Sequence, residues 1–233
     1  MRTLGAEGTA AHERIWDAIV DHRLRPGTRL VEDRLCEVFG LGRTRIRQVL
    51  QRLAHEHVVT VMPNRGAVVA KPSVQEANNV FHARRVIEAG IVQQFMDTAT
   101  SADKRRIREH TAREQRAWRG SDRRLTIKLS GEFHLILGEI AGNTVMLSLL
   151  RELVSRCSLI IALYQARATS PCPPNEHEQL CTALEQGTPR AVRLMQQHLE
   201  QVLAELNLVE HAESDTDFQW LLRGGAGEDE RAY

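Results

Sequence analysis

Arginine chemistry is the first feature of this sequence. Between Gly40 and Leu53 the stretch GLGRTRIRQVLQRL carries Arg43, Arg45, Arg47 and Arg52 interleaved with Ile46, Val49, Leu50 and Leu53. The apolar residues recur at i, i+3, i+4 and i+7, which places them on one face of a helix. Arg43, Thr44 and Arg47 then gather near the helix start, on the side turned away from that stripe. A guanidinium can pair bidentately with O6 and N7 of guanine, or grip a phosphate as a fork. A helix that buries one face and offers arginines from its first turns therefore suits a DNA major groove. It equally describes a solvated basic helix, so the flanking sequence has to decide.

A second group lies further along the chain. His134 shares a helix side with Leu137, His177 precedes Leu180, Cys181 and Leu184, and His198 lies between Leu194 and Val202 at i−4 and i+4. A single inward histidine is an ordinary core residue. Three on separate helices can converge, and imidazoles converging in a cavity make a site for a divalent metal ion such as Zn²⁺ or Ni²⁺. Arg84 sits on the apolar stripe of Val80, Phe81, Ile87 and Ile91. A guanidinium directed into a helical bundle needs a partner. Two readings stay open for it: an i,i+4 pair with Glu88, or an anchor for a ligand carboxylate.

The elements that position these groups follow from pattern and punctuation. Residues 1–10 are small and polar and are expected to fray. His12–Arg23 reads as a helix, Pro26-Gly27 as a turn, and Val31–Phe39 as a second helix closed by Gly40. The arginine-rich helix follows, and then VVTVMPNRGAVVA, two β-branched runs around a polar tip, which reads as a hairpin. Three helices, a tight turn and a hairpin make a winged helix-turn-helix over residues 11–71. Pro72 and Ser73 mark the boundary, with Ser73 and Glu76 placed as a capping box. From residue 74 to 210 every segment is helical in pattern, over 74–98, 101–118, 123–141, 144–168, 176–186 and 189–209. The fold class is therefore mostly α: a winged helix-turn-helix followed by an all-helical bundle. Residues 211–233 form an acidic, glycine-rich tail.

Bulk composition fits that scheme. The chain has 233 residues, is 26% charged and carries a net charge of +1, so it is no polycation. Residues 1–75 hold twelve Arg and Lys against eight Asp and Glu, a local basic surplus that suits an anionic partner for that part. Cys36, Cys157, Cys172 and Cys181 lack C-x-x-C spacing and imply a reducing compartment without disulfides. No apolar run approaches the ~18 residues of a membrane span, and the expected location is the cytoplasm, at the chromosome when DNA is bound. There is no P-loop, dinucleotide fingerprint or G-x-S-x-G nucleophile turn.

The stretch LRPGTRLVEDRLCEVFGLGRTRIRQVLQRLAHEHVVTVMPNRGAVV resembles the N-terminal domain of the GntR family of bacterial transcriptional regulators. The resemblance rests on the PG turn, the arginine before the LCEVFG helix, the R-T-x-[apolar]-R pattern and the P-x-R-G wing tip. It implies DNA contacts from Arg34, Arg43, Arg47, Arg65 and Gly66, with Thr44 beside them and Arg45 as an added source of individual specificity. Gly42 stands where relatives carry a capping serine, and His57 where a glycine is frequent. The helical half resembles the FCD ligand-binding domain of the FadR-like branch, through RRVIE at 84–88, EFHLILGEIAGN at 132–143, EH at 176–177 and the closing MQQHLEQ. That resemblance implies a homodimer on double-stranded operator DNA, a small organic acid as effector, Arg84 as its anchor, and a metal on His134, His177 and His198. The family's aspartate ligand is replaced by Ser130, which leaves three protein ligands and a weakened site. The functional expectation is a non-enzymatic regulator, a repressor released by a metabolite. A constitutive regulator with a vestigial cavity and a three-histidine metal-dependent enzyme are the alternatives.

Overall fold

The computed structural model describes residues 4–20, 23–62, 65–165 and 174–208. The chain divides into two compact units between Lys71 and Pro72. In the first, helix α1 (Gly5–Val20) buries Ala11, Ile15, Ala18 and Ile19 along one stripe. It begins well before His12, where composition alone suggests fraying. The physical reason is tertiary: Leu4 is buried, and the Arg45 guanidinium donates to its carbonyl at 2.6 Å. Strand β1 (Arg29–Leu30) leads into α2 (Glu32–Phe39), closed by Gly40 in the left-handed region. Helix α3 (Arg43–His55) buries Ile46, Val49, Leu50 and Leu53, the four residues of the apolar stripe.

Strands β2 (Val59–Met62) and β3 (Gly66–Val69) pair antiparallel, with Val59 opposite Val69 and Met62 opposite Gly66. β1 adds to the far edge of β3, giving a three-stranded sheet that periodicity could not reveal, because two residues have no period. The turn between α3 and β2 holds His57 at φ 57°, a left-handed conformation that explains why glycine is frequent there.

The second unit is helical throughout its described residues. α4 (Val74–Thr98) starts at Ser73, whose hydroxyl accepts from the Glu76 amide. α5 (Ser101–Arg119) opens on a Thr100/Asp103 capping box, α6 (Arg123–Ala141) on Asp122 and α7 (Thr144–Tyr164) on Asn143. α8 (Pro174–Glu185) and α9 (Arg190–Ala204) complete it. The long α4 is the spine, with α6, α7 and α9 packed along it and α5 joining α6 to α8. Close packing along the bundle is visible at Gly138, where an added Cβ would come within 3.1 Å of Leu150 and 3.2 Å of Leu147. Cys157 and Cys181 are buried as small core side chains, whereas Cys172 and the acidic tail lie outside the described residues. No described helix is long and apolar enough to cross a membrane.

Gly66 is demanded by this fold. Its φ is +81°, and a Cβ there would stand 2.2 Å from the Leu30 carbonyl oxygen. Gly66→Ala should therefore destabilise the first unit by more than ~1 kcal/mol, since strained φ and overlap add. Urea unfolding of the full chain checks this, and an unchanged midpoint would contradict the assigned β1–β3 register.

Candidate functional site

Two groups of side chains carry chemistry, one in each unit. On α3, Arg43, Thr44 and Arg47 are exposed, together with Arg34 on α2 and Arg65 at the wing. Arg47 Nε lies 2.9 and 3.0 Å from the two carboxylate oxygens of Glu32. Arg43 Nε lies 3.0 Å from Asp33, and Arg34 faces Glu37 at 3.7 Å. Arg45 is the departure from expectation. At about 100° per residue it points roughly 200° round the helix from Arg43, towards α1. There its guanidinium holds the Leu4 carbonyl, and its Cδ fits where a Cβ on Gly8 would come within 3.2 Å. Arg45 thus anchors α1 and does not stand beside Arg43 and Arg47. Gly66 is buried at the base of the wing.

In the helical unit His134, His177 and His198 come together, each buried, with one ligand nitrogen apiece inside a 4.8 Å set. Every one of the three has its Nδ1 engaged by a carboxylate. His134 Nδ1 is 2.5 Å from Glu88, His177 Nδ1 is 3.0 Å from Glu114, and His198 Nδ1 is 2.7 Å from Glu176. Phe133 stacks on the His177 ring at 4.0 Å and fixes its plane. With the outer nitrogens occupied, the Nε2 atoms turn inwards, and those of His177 and His198 face each other at 3.2 Å. Two imidazole lone pairs at that distance repel unless one ring carries an N–H that donates to the other, or a metal ion lies between them. An outer carboxylate that orients a metal-binding imidazole is the general pattern of histidine metal sites. Ser130 is half-buried on α6, one turn before His134, and offers no anionic ligand.

Burial dominates the ionisation of this cluster. It holds His134 down to about 3 and His177 well below the usual imidazole range. It pushes the Glu114 carboxyl up to about 8. Near neutral pH a protonated Glu114 can donate to His177 Nδ1, whose Nε2–H then donates to His198. A divalent cation at this point would take the place of that proton.

Glu88 is different, because burial is overcome by the adjacent Arg84 guanidinium and by His134, which together hold it down at about 2. Arg84 Nε donates to Glu88 at 2.6 Å and Nη1 to Cys157 Sγ at 3.0 Å. Its Nη2 is buried with no hydrogen-bond partner among the described residues. Both readings of Arg84 are therefore compatible: the Glu88 pair exists, and a donor remains unspent. Sequence reasoning missed Glu114, which sits on α5 with no ligand spacing to mark it. It also missed His110, whose Nε2 donates to the Leu129 carbonyl at 2.8 Å.

With the geometry in hand, the family follows. Residues 8–69 match the gntR family of bacterial regulatory proteins, and residues 79–201 match the FCD domain. The chain belongs to the FCD-containing branch of the GntR regulators and is a transcriptional regulator, not an enzyme. It is 22% identical over 199 residues to the HTH-type transcriptional repressor RspR of Escherichia coli K12, covering 84% of this chain and 87% of that one. The Nta operon transcriptional regulator of Aminobacter aminovorans is 28% identical over 140 residues, 59% of this chain and 65% of that one. Among solved structures, Escherichia coli McbR/YncC superposes with a TM-score of 0.71 at 19% identity, over 88% of this chain and 97% of that one. A Rhodococcus GntR regulator gives 0.69 at 24% identity, over 84% and 95%. Both share the fold.

The ionisation pattern has a measurable consequence in chelated, metal-free protein. His134 binds its proton more readily unfolded, so its contribution to stability is lost as pH falls from 6.5 to about 3. Glu88, depressed when folded, loses its contribution as pH falls from 4.5 to about 2. Glu114, raised when folded, works in the opposite sense between 4.5 and 8 and offsets His134 there. His177, held down in the same way, has no such offset, so stability should begin to fall below pH 6.5. It should fall more steeply below pH 4.5, where Glu88 joins and Glu114 no longer compensates, by about 1.4 kcal/mol per pH unit for each group. Urea unfolding between pH 6 and 3.5 checks it, and a flat profile below pH 4.5 would contradict the buried cluster.

Proposed function

We propose that this regulator is a repressor that binds operator DNA as a homodimer and is released by a small organic acid held in a metal-containing helical cavity. Arg43 and Arg47 read the major groove, Thr44, Arg34 and Arg65 hold the backbone, and two copies of α3 address a short palindrome. In the second unit His134, His177 and His198 are the residues that would hold a divalent metal ion. When bound, the ion supplies a Lewis-acidic position that three neutral imidazoles leave open to a carboxylate oxygen. The single observation that carries this reading is the 3.2 Å approach of the His177 and His198 Nε2 atoms with their outer nitrogens already engaged.

Arg84 supplies the second half of the effector site. Its buried Nη2 has two hydrogens and no acceptor among the described residues, a costly state that an incoming carboxylate relieves. Cys157 and Glu88 hold the rest of the guanidinium in place. Signalling then requires only that the acid bind one arrangement of the protein more tightly than another.

Thermal melting of the chelated full-length protein tests this reading. Zn²⁺ or Ni²⁺ at a hundred-fold excess over Kd should raise Tm by roughly 5 °C or more. Ser130→Asp should tighten metal binding, because it restores a charged ligand one turn before His134. A panel of small carboxylic acids should raise Tm further on metal-loaded protein, and Arg84→Lys should abolish that second rise. Absence of any metal response in both wild type and Ser130→Asp would overturn the metal site.

A further inference from the structure

We infer that Glu32 is a positioning residue for Arg47, and that it sets how sharply the recognition helix discriminates among DNA sequences. The inference rests on the assignment of α3 as the DNA-reading helix and adds a residue to it. Glu32 is the first residue of α2 and lies directly against Arg47 of α3. Both of its carboxylate oxygens lie within 3.0 Å of Arg47 Nε, a two-oxygen grip on one nitrogen. The side chain of Glu32 is only 21% exposed, whereas that of Arg47 is 59% exposed. The acid is therefore the fixed partner and the guanidinium the projecting one.

The geometry leaves the other edge of Arg47 unspent. Among the described residues the hydrogen bonds of Arg47 run through Nε, which leaves Nη1 and Nη2 as the end-on fork that matches O6 and N7 of guanine. Holding Nε removes rotamer freedom from the long side chain before DNA arrives, so less ordering cost is left to binding. The same contact has small value as a surface ion pair, and its importance is orientation. The neighbouring pair supports the distinction. Arg43 and Asp33 are joined through a single oxygen at 3.0 Å, and both are more than 60% exposed. Arg43 is thus the more loosely held of the two arginines, and Arg47 an aimed fork suited to a base.

The backbone under Glu32 is itself held. A Cβ at Gly66 would come within 3.3 Å of the Glu32 amide nitrogen as well as striking the Leu30 carbonyl. The missing side chain at the wing base is what lets β1 and the start of α2 sit where Glu32 can reach α3. Wing, acid and recognition arginine form one continuous support.

The test uses full-length protein and a duplex selected from a random-sequence library by the wild type. Affinity for that duplex is compared with affinity for a random duplex of equal length at fixed salt. Glu32→Gln should cut the ratio of the two affinities roughly ten-fold, the scale of one good bidentate base contact, while binding to the random duplex holds or strengthens. Glu32→Asp keeps the charge and loses the reach, so it should fall with Glu32→Gln. In an Arg47→Ala background neither substitution should change the ratio further. An unchanged ratio in both variants overturns the inference, as does a Glu32→Asp variant that discriminates like wild type or an undiminished effect without Arg47. If the wild type itself selects no preferred sequence, the DNA-reading assignment of α3 fails along with it.

Discussion

Two buried imidazoles that face each other across 3.2 Å are the constraint on which the second unit depends. Two bare nitrogen lone pairs cannot approach this way in a core: either one ring donates its N–H to the other, or a metal ion lies between them. The surrounding structure is arranged to keep that approach intact. Glu88, Glu114 and Glu176 hold the outer nitrogens, and Phe133 fixes one ring plane. The carboxylates come from α4, α5 and α8, so four or more helices must be packed correctly before the Nε2 atoms can meet. The site is a property of the folded bundle and not of any one segment.

α4 gives that cluster a reach beyond itself. Arg84 and Glu88 stand one turn apart on it, so His134 on α6 and Cys157 on α7 are joined through one buried ion pair. Breaking such a pair leaves an uncompensated charge, typically a loss of 3–5 kcal/mol. Any ligand that engages the unspent Arg84 nitrogen therefore acts on the most strongly buried charges of the unit. At the N-terminal end of α4, the Tyr164 hydroxyl donates to the Pro72 carbonyl at 2.5 Å, tying the helix start to the end of α7.

Much of this was legible in the sequence, for identifiable reasons. The stripe Ile46, Val49, Leu50 and Leu53 spans two helical turns and repeats at helical spacing, so α3 and its buried face could be read directly. Ser73 with Glu76 marked the start of α4 because a cap is a local, two-residue device. The three histidines were visible because each lay on an apolar stripe. What escaped was non-local or aperiodic. β1 has two residues and exists only because β3 offers it an edge. The early start of α1 depends on Arg45, whose orientation follows from helical geometry but whose acceptor, the Leu4 carbonyl, lies forty-one positions away. Glu114 carries no motif and becomes a histidine partner only through the packing of α5 on α8.

The most direct measurement of the central claim is histidine-selective ¹⁵N NMR of the metal-free protein, followed through a Zn²⁺ titration at neutral pH. A shared inter-imidazole proton should appear as one Nε2–H signal on the His177–His198 pair, with His134 and His198 protonated at Nδ1. One equivalent of Zn²⁺ should abolish that signal and move all three Nε2 resonances together. Histidine signals that are indifferent to the metal, or three fully protonated imidazolium rings, would contradict the convergence of Nε2 atoms on one shared proton or metal ion.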